Sequence, residues 1–245
     1  MTAPLPRGIS FRGVRFGYTR PSRWRRGPEP APAFQCESLD IRPGLTLLLG
    51  PNGTGKSTLL KLAAGIEAPE TGTVTIDGLD LWHDERAARQ ALAYAPELPD
   101  LSPYASLGEV MRLVSSLREV EPTAGERALT AVGLEGLERR SIRELSMGQR
   151  RRAMLAAAFI GSPTTLLLDE PLESLDRAMR DLVVRWVGER LAAGATALIS
   201  THEVEPFAGM VGAIVAMRAG LPRELAPDAD PARRLAQLDA LARGN

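Results

Sequence analysis

The sequence is poor in the residues that build disulfide-rich or metal-rich proteins. It has one cysteine, Cys36, so no disulfide can form within the chain, which suits a reducing compartment. Histidine occurs only at positions 83 and 202, too rarely for a histidine-rich metal site. Aromatic residues make up 4% of the 245 positions, and 30 basic side chains are balanced by 30 acidic ones. Without a basic surplus the chain lacks the electrostatic footprint of a general nucleic-acid binder. No apolar run approaches the ~18 residues that cross a bilayer. The opening Met1-Thr2-Ala3-Pro4 begins no apolar core of a secretory signal. These absences point to a cytosolic protein that can still dock on a membrane partner. What is present, 44% hydrophobic and 24% charged residues, is an ordinary globular composition, enough for one large domain or a domain with a subdomain.

Strand and helix signals alternate along the chain, which predicts an α/β fold. Phe11 to Tyr18 reads as a first strand, and Leu45-Thr46-Leu47-Leu48-Leu49 as a buried parallel strand ending at Gly50. Gly72 to Gly78 alternates β-branched residues and closes on Asp77-Gly78, a hairpin signal. Between them, Thr19 to Ala33 is rich in proline and arginine and reads as a solvated loop. From Ser106 to Arg140 the period becomes helical: Leu107, Val110, Met111, Val114 and Leu117 share a face, and Ser106 with Glu109 forms a capping box. Thr123 with Glu126 repeats that box. Buried strands are predicted again at Thr165 to Leu168, Ala195 to Ser200 and Val211 to Met217, and a terminal helix at Ala232 to Ala242.

The run Gly50-Pro51-Asn52-Gly53-Thr54-Gly55-Lys56-Ser57-Thr58 fits G-x-x-x-x-G-K-[ST] between a predicted strand and a helix at Ser57 to Ala64. Glycines let backbone N–H groups turn inward around a phosphate, and the helix N-terminus adds partial positive charge. Lys56 would reach the β- and γ-phosphates and Ser57 would hold Mg²⁺. Downstream, the apolar Thr165 to Leu168 ends in Asp169-Glu170, carboxylates placed where open α/β sheets bind ligands. Asp169 is the expected Mg²⁺ partner, and Glu170 the group that polarises the attacking water.

Three further segments, taken with this pair, resemble the ATP-binding cassette ATPases. Leu145-Ser146-Met147-Gly148-Gln149 is similar to that family's L-S-G-G-Q signature, Asp169 to Asp176 to its Walker B and D-loop, and Ser200-Thr201-His202-Glu203 to its switch histidine. The resemblance covers about Phe11 to Gly220. It implies a P-loop NTPase core with a mixed, mainly parallel sheet, an antiparallel β subdomain and an inserted α-helical subdomain at about 98–147. A single nucleotide-binding domain would span 1–220, with 221–245 a short tail. It implies ATP held by Tyr18, stacked on adenine with Phe16 as the alternative, and by Gly50, Asn52, Gly53, Thr54, Gly55, Lys56, Ser57 and Thr58. Glu170, His202 and Lys56 would be catalytic, and Ser57, Glu97 and Asp169 would hold Mg²⁺. Ser146 and Gln149 form their own capping box, a second anion site; the resemblance implies that Ser146, Gly148, Gln149 and Asp176 complete the site of a second, head-to-tail copy. His83 has no such support and reads as a surface residue.

Two departures stand out. The family's usual Pro-Gln appears here as Pro96-Glu97, which keeps an oxygen ligand but adds charge, and Met147 replaces a glycine. Glu97, the Arg150-Arg151-Arg152 run and the compact length are most similar to bacterial exporter ATPases. The expected function is therefore an ATPase subunit, peripheral on the cytoplasmic face of the membrane, that powers transport, export in direction, through a separate permease and with a second nucleotide-binding subunit. The alternative is a soluble cassette ATPase acting on nucleic acid or ribosomes. The balanced charge and the lack of a second cassette, coiled coil or zinc insertion weigh against it.

Overall fold

The computed structural model describes residues 7–18, 31–98 and 101–244. Most of the 19–33 stretch thus lies outside the described residues. Its architecture follows from two sheets packed on opposite sides of one P-loop helix. In the larger sheet, β3 (Gly44–Leu49), β6 (Leu92–Ala95), β7 (Thr165–Asp169), β8 (Thr196–Ser200), β9 (Val211–Arg218) and β10 (Leu221–Leu225) lie in the order β10-β9-β3-β8-β7-β6. All neighbours are parallel except the β9–β10 hairpin. The smaller sheet is antiparallel, with β1 (Ile9–Phe16), β2 (Phe34–Ile41), β4 (Thr71–Ile76) and β5 (Leu79–Asp80) in the order β2-β1-β4-β5.

Parallel strands covered on both faces are near-continuous apolar runs, and β3, β7 and β8 have apolar centres and are buried at every position except Gly44. On β7, Leu167 packs with α1 (Lys56–Ala63) and the antiparallel sheet, while Leu166 and Leu168 pack towards the helices of the other face. That second face is covered by α5 (Met147–Phe159), α6 (Arg177–Ala192) and α7 (Pro231–Arg243). The inserted helices α3 (Leu107–Leu117) and α4 (Thr123–Ala131) pack against each other and against α5. A short helix, α2 (Glu85–Gln90), precedes edge strand β6.

The expected hairpin forms, with Asp77 and Gly78 both at positive φ in a two-residue turn between Ile76 and Leu79. The Ser106 capping box also forms: its Oγ accepts from Glu109 N at 3.2 Å and its N–H donates to Glu109 Oε2 at 2.7 Å. The box expected at Thr123 does not. Pro122 takes the N-cap position with helical dihedrals, so Thr123 is already inside the helix and its hydroxyl does not cap it. The first strand ends at Phe16, two residues before the expected Tyr18.

The stretch after Gly220, expected as a tail, is β10 and α7. Strand β10 extends the main sheet, and Leu238 and Ala242 of α7 are buried in its core. The terminal helix expected at Ala232 to Ala242 forms as α7; what the sequence did not show is β10, and that α7 packs into the main core through residues spaced four apart. Among the described residues no helix is long and apolar enough to cross a membrane.

Candidate functional site

The strand-to-helix turn after β3 is built for close approach of an anion. Gly50 sits at φ 147°, and a Cβ there would lie 2.5 Å from the Met217 carbonyl oxygen, so only glycine fits. Gly55 caps α1 in the left-handed region at φ 101°, and no side chain caps the helix. The first N–H groups of α1 therefore point, without a side-chain acceptor, into a cleft of about 760 Å³. Thr54 Oγ1 donates back to Pro51 O at 2.8 Å, which closes the loop. Lys56 is buried at 7% exposure, its Nζ donating to Gly50 O at 2.6 Å and Pro51 O at 3.2 Å. Burial lowers its pKa, against the pull of Glu170, Asp169 and Glu97.

The cleft brings together Tyr18, Asn52, Gly53, Gly55, Lys56, Ser57, Thr58, Glu97, Asp169, Glu170 and His202, as the sequence led us to expect. Of the two aromatic alternatives, Phe16 is buried, whereas Tyr18 is 58% exposed on the cleft wall. Phe16 packs edge-on against the Tyr18 ring, with centroids 5.0 Å apart, and the Tyr18 hydroxyl hydrogen-bonds Thr58 Oγ1 at 3.1 Å.

Strand β7 delivers Asp169 and Glu170 at its C-terminal end, next to β8 and the loop that carries His202. Glu170 takes a left-handed backbone at φ 46°, held by its N–H donating to Ser200 O at 2.9 Å. Its Oε2 accepts from the His202 N–H at 3.1 Å; its Oε1 is buried with no hydrogen bond, 3.6 Å from His202 Nε2. Burial pushes the Glu170 carboxyl up from 4.5 to about 7, with the His202 N–H bond opposing, Asp169 adding and Lys56 opposing. Asn52 Oδ1 lies 3.0 Å from His202 Nε2; a carbonyl oxygen only accepts, so Nε2 carries the proton.

Five carboxylates, Glu97, Asp169, Glu170, Glu173 and Glu203, face one buried ammonium across this cleft. Such an excess, with the orphaned Glu170 Oε1, suits a cation. Among the described residues, however, no three His, Cys, Asp or Glu side chains converge closely enough to hold a metal unaided. That combination fits Mg²⁺, which takes one or two protein oxygens and completes its shell with phosphate and water.

Ser146, Gly148, Gln149 and Asp176 do not line the cleft. Ser146 and Gln149 are engaged with each other as the N-terminal box of α5: Ser146 N donates to Gln149 Oε1 at 2.9 Å, and Gln149 N to Ser146 Oγ at 3.2 Å. Met147 points outward at 63% exposure, and nothing lies within 4 Å of a Cβ placed on Gly148. Asp176 caps α6, accepting from Met179 N at 2.9 Å. His83 is a surface residue, paired with Asp80 at 3.1 Å. Glu173 and Glu203 were missed in the sequence, where nothing sets them apart from other charged turn residues. Arg151 was missed too: it is 4% exposed and bonded to the backbone beside both Glu97 and Glu170.

Comparison with known proteins agrees with this geometry. The chain is 40% identical over 164 residues to the thiamine import ATP-binding protein ThiQ of Mesorhizobium japonicum, covering 65% of this chain and 64% of that protein. It is 35% identical over 195 residues to the sulfate/thiosulfate import ATP-binding protein CysA 2 of Chromobacterium violaceum, covering 77% of this chain and 52% of that protein. The chain thus spans about half to two thirds of these relatives. A solved structure of the ATP binding subunit of an ABC transporter superposes with a TM-score of 0.77 at 25% identity, covering 95% of this chain and 94% of the other. The ABC transporter family model matches residues 35–173, more than half of the sequence and the stretch that holds the P-loop, the α5 box and Asp169-Glu170, and so the chain belongs to the ABC transporter family.

Proposed function

We propose that the chain binds and hydrolyses Mg-ATP as one of a pair of subunits, and that this drives transport through a separate membrane permease. The observation that carries the reading is the cleft itself: a phosphate cradle and a buried, proton-accepting carboxylate face each other across it. The triphosphate would lie along Gly50 to Thr58 with adenine on Tyr18. Lys56 would exchange the carbonyls of Gly50 and Pro51 for phosphate oxygens. Ser57 and Asp169, with Glu97 beside them, would hold Mg²⁺, which when bound spreads the charge of the phosphate oxygens. Glu170 Oε1 accepts the proton of the attacking water, and Oε2 stays anchored by the His202 N–H. His202 Nε2 would exchange Asn52 Oδ1 for an oxygen of the transferring phosphate, where charge develops. Catalysis of this kind is mostly positioning and electrostatics.

Pairing is supported by what the cleft lacks. The helix start at Ser146 to Gln149, which would serve as a second anion site, and Asp176 both lie outside the lining of this chain's own cleft. A head-to-tail second copy would bring its Ser146, Gly148 and Gln149 to this chain's triphosphate. The permease would hold the pair at the cytoplasmic face of the membrane.

Export in direction rested on Glu97, on the arginine run and on the compact length. The relatives reported above are named for import and give export no support. The run has a local explanation: Arg150 donates to the carbonyls of Ile142, Leu145 and Arg143, and Arg152 to that of Val132. Transport is therefore proposed without the exporter assignment.

The test is to purify a tagged Glu170→Gln protein from membranes in Mg-ATP and identify what accompanies it. A polytopic membrane protein together with a second cassette subunit is expected. Ribosomes or DNA in its place would overturn the transport reading.

A further inference from the structure

The buried arginine of α5 has a geometry that an ordinary core residue would not need. Strands β6 and β7 are parallel neighbours, Ala95 opposite Leu168, and both chains leave the sheet at the same level. Beyond that level β6 and β7 no longer pair with each other, although Asp169 still pairs with Ser200 of β8. Arg151, one turn into α5, inserts its guanidinium between the two chain ends. Nη1 donates to Pro96 O at 2.8 Å and to Glu97 O. Nη2 donates to Glu170 O, and to Asp169 O at 3.4 Å. Each terminal nitrogen thus serves one strand end. A lysine has a single nitrogen and could not span both.

Two features make this more than packing. The Glu170 backbone is in the left-handed region, a conformation a non-glycine residue keeps only when its surroundings impose it. Ser200 O holds its N–H and Arg151 holds its carbonyl, so the peptide on either side of the residue is tied down. The same guanidinium is the nearest buried cation to the backbone of Glu97, where the chain has a carboxylate in place of an amide, and Glu173, Asp169, Glu97 and Glu170 all surround it.

We propose that Arg151 is a positioning residue: its planar fork fixes the Glu97 and Glu170 backbones relative to each other and to the helix that begins at Ser146. The inference rests on the ATPase reading for its kinetic consequence but not for its structural one. Arg151 does not itself line the cleft and meets it only through the backbone carbonyls of Glu97, Asp169 and Glu170, so it acts on the chemical step by placing Glu170 and leaves nucleotide affinity alone.

The test uses the full chain with Arg151→Lys, which keeps the charge and loses the fork, and Arg151→Ala, which leaves room for added methylguanidinium. Hydrogen–deuterium exchange is read on peptides covering residues 92–98 and 165–172. Affinity for a fluorescent ATP analogue and steady-state ATPase rates are measured alongside. The expected result for Arg151→Lys is faster exchange in both peptides, analogue affinity within about threefold of wild type, and kcat lower by about 10- to 100-fold, as for a small misplacement of a reacting group. Millimolar methylguanidinium should restore part of the kcat of Arg151→Ala and slow its exchange. Unchanged exchange in both peptides, unchanged kcat, or a loss confined to nucleotide affinity would overturn the proposal. Where Arg151→Ala does not fold, Arg151→Lys alone decides by the same three readouts. A wild-type chain that does not turn over ATP sinks the ATPase reading, and the exchange comparison still decides the role of Arg151.

Discussion

Glu170→Gln is expected to stabilise the nucleotide-free, metal-free protein at neutral and alkaline pH and to leave it little changed in acid. Burial raises the Glu170 carboxyl from 4.5 to about 7. Between those values the folded chain keeps a proton that the unfolded chain has released. Stability therefore falls as pH rises, by about 1.4 kcal/mol per unit at most, from about pH 4.5 until it levels near pH 7. The full shift corresponds to about 3 kcal/mol. The side chain is 13% exposed in an open cleft, and solvent there reduces the figure to about 2–3 kcal/mol. Glutamine has no proton to lose. Its amide oxygen can keep the bond from the His202 N–H, and its NH₂ takes the place of the unbonded Oε1. The variant should therefore lack this fall. Thermal unfolding of both proteins in EDTA, from pH 5 to 8.5, isolates the effect, because titrating groups that do not interact with Glu170 cancel in the difference. For a domain of this size the gap in Tm should widen by about 5–10 °C towards alkaline pH. Parallel curves, or a gap that is largest in acid, would refute the account of a desolvated carboxylate.

Lys56→Ala should lose Mg-ATP binding, read by equilibrium dialysis, because among the described residues the buried ammonium is the only Lys or Arg side chain on the cleft wall; tight binding by that variant would contradict the phosphate cradle. Ser146→Arg should abolish ATPase activity while single-chain nucleotide affinity stays within about twofold, because Ser146 lies outside this chain's own cleft and only a partner copy would meet it; normal turnover would argue against pairing. Tyr18→Ala should raise the KM for ATP about tenfold with kcat little changed, as expected for loss of one base–aromatic stack worth about 1–3 kcal/mol; an unchanged KM would return Tyr18 to a packing role.

The parts of the fold that were legible in the sequence are those where a short stretch must satisfy a constraint unaided. β3, β7 and β8 are covered on both faces, so each has a short apolar core, Leu47 to Leu49, Leu166 to Leu168 and Ala197 to Ile199. Asp77-Gly78 needs two consecutive positive φ angles, which few residue pairs supply. Edge strand β6, Leu92-Ala93-Tyr94-Ala95, has four residues and two alanines, too little contrast to announce itself. The longest helix among the described residues, α6, was also overlooked. It fully buries Met179, Val183 and Val187, with Leu182, Val184, Trp186 and Leu191 partly buried beside them, and charged residues interrupt the apolar pattern along the sequence. A stricter search at spacing four would have found it.

The same distinction separates the residues of the site. The phosphate cradle is backbone chemistry written in consecutive residues, so its pattern carries its own confirmation. Arg150, Arg151 and Arg152 are indistinguishable in sequence, yet the 3.6-residue period of α5 sends their side chains in different directions. Arg150 bonds the short turn at Ile142 to Glu144 and its flank, Arg152 reaches the end of α4, and Arg151 alone enters the space between two strand ends. Nothing local to α5 could identify that space, because β6 and β7 come together only when the sheet forms, with the helical insertion of α3 and α4 between them in sequence. A charge run read as one surface feature thus divides into three different contacts. The one that matters to Glu170 is the one whose partners lie farthest away along the chain, which is why folding had to be known before its chemistry could be argued.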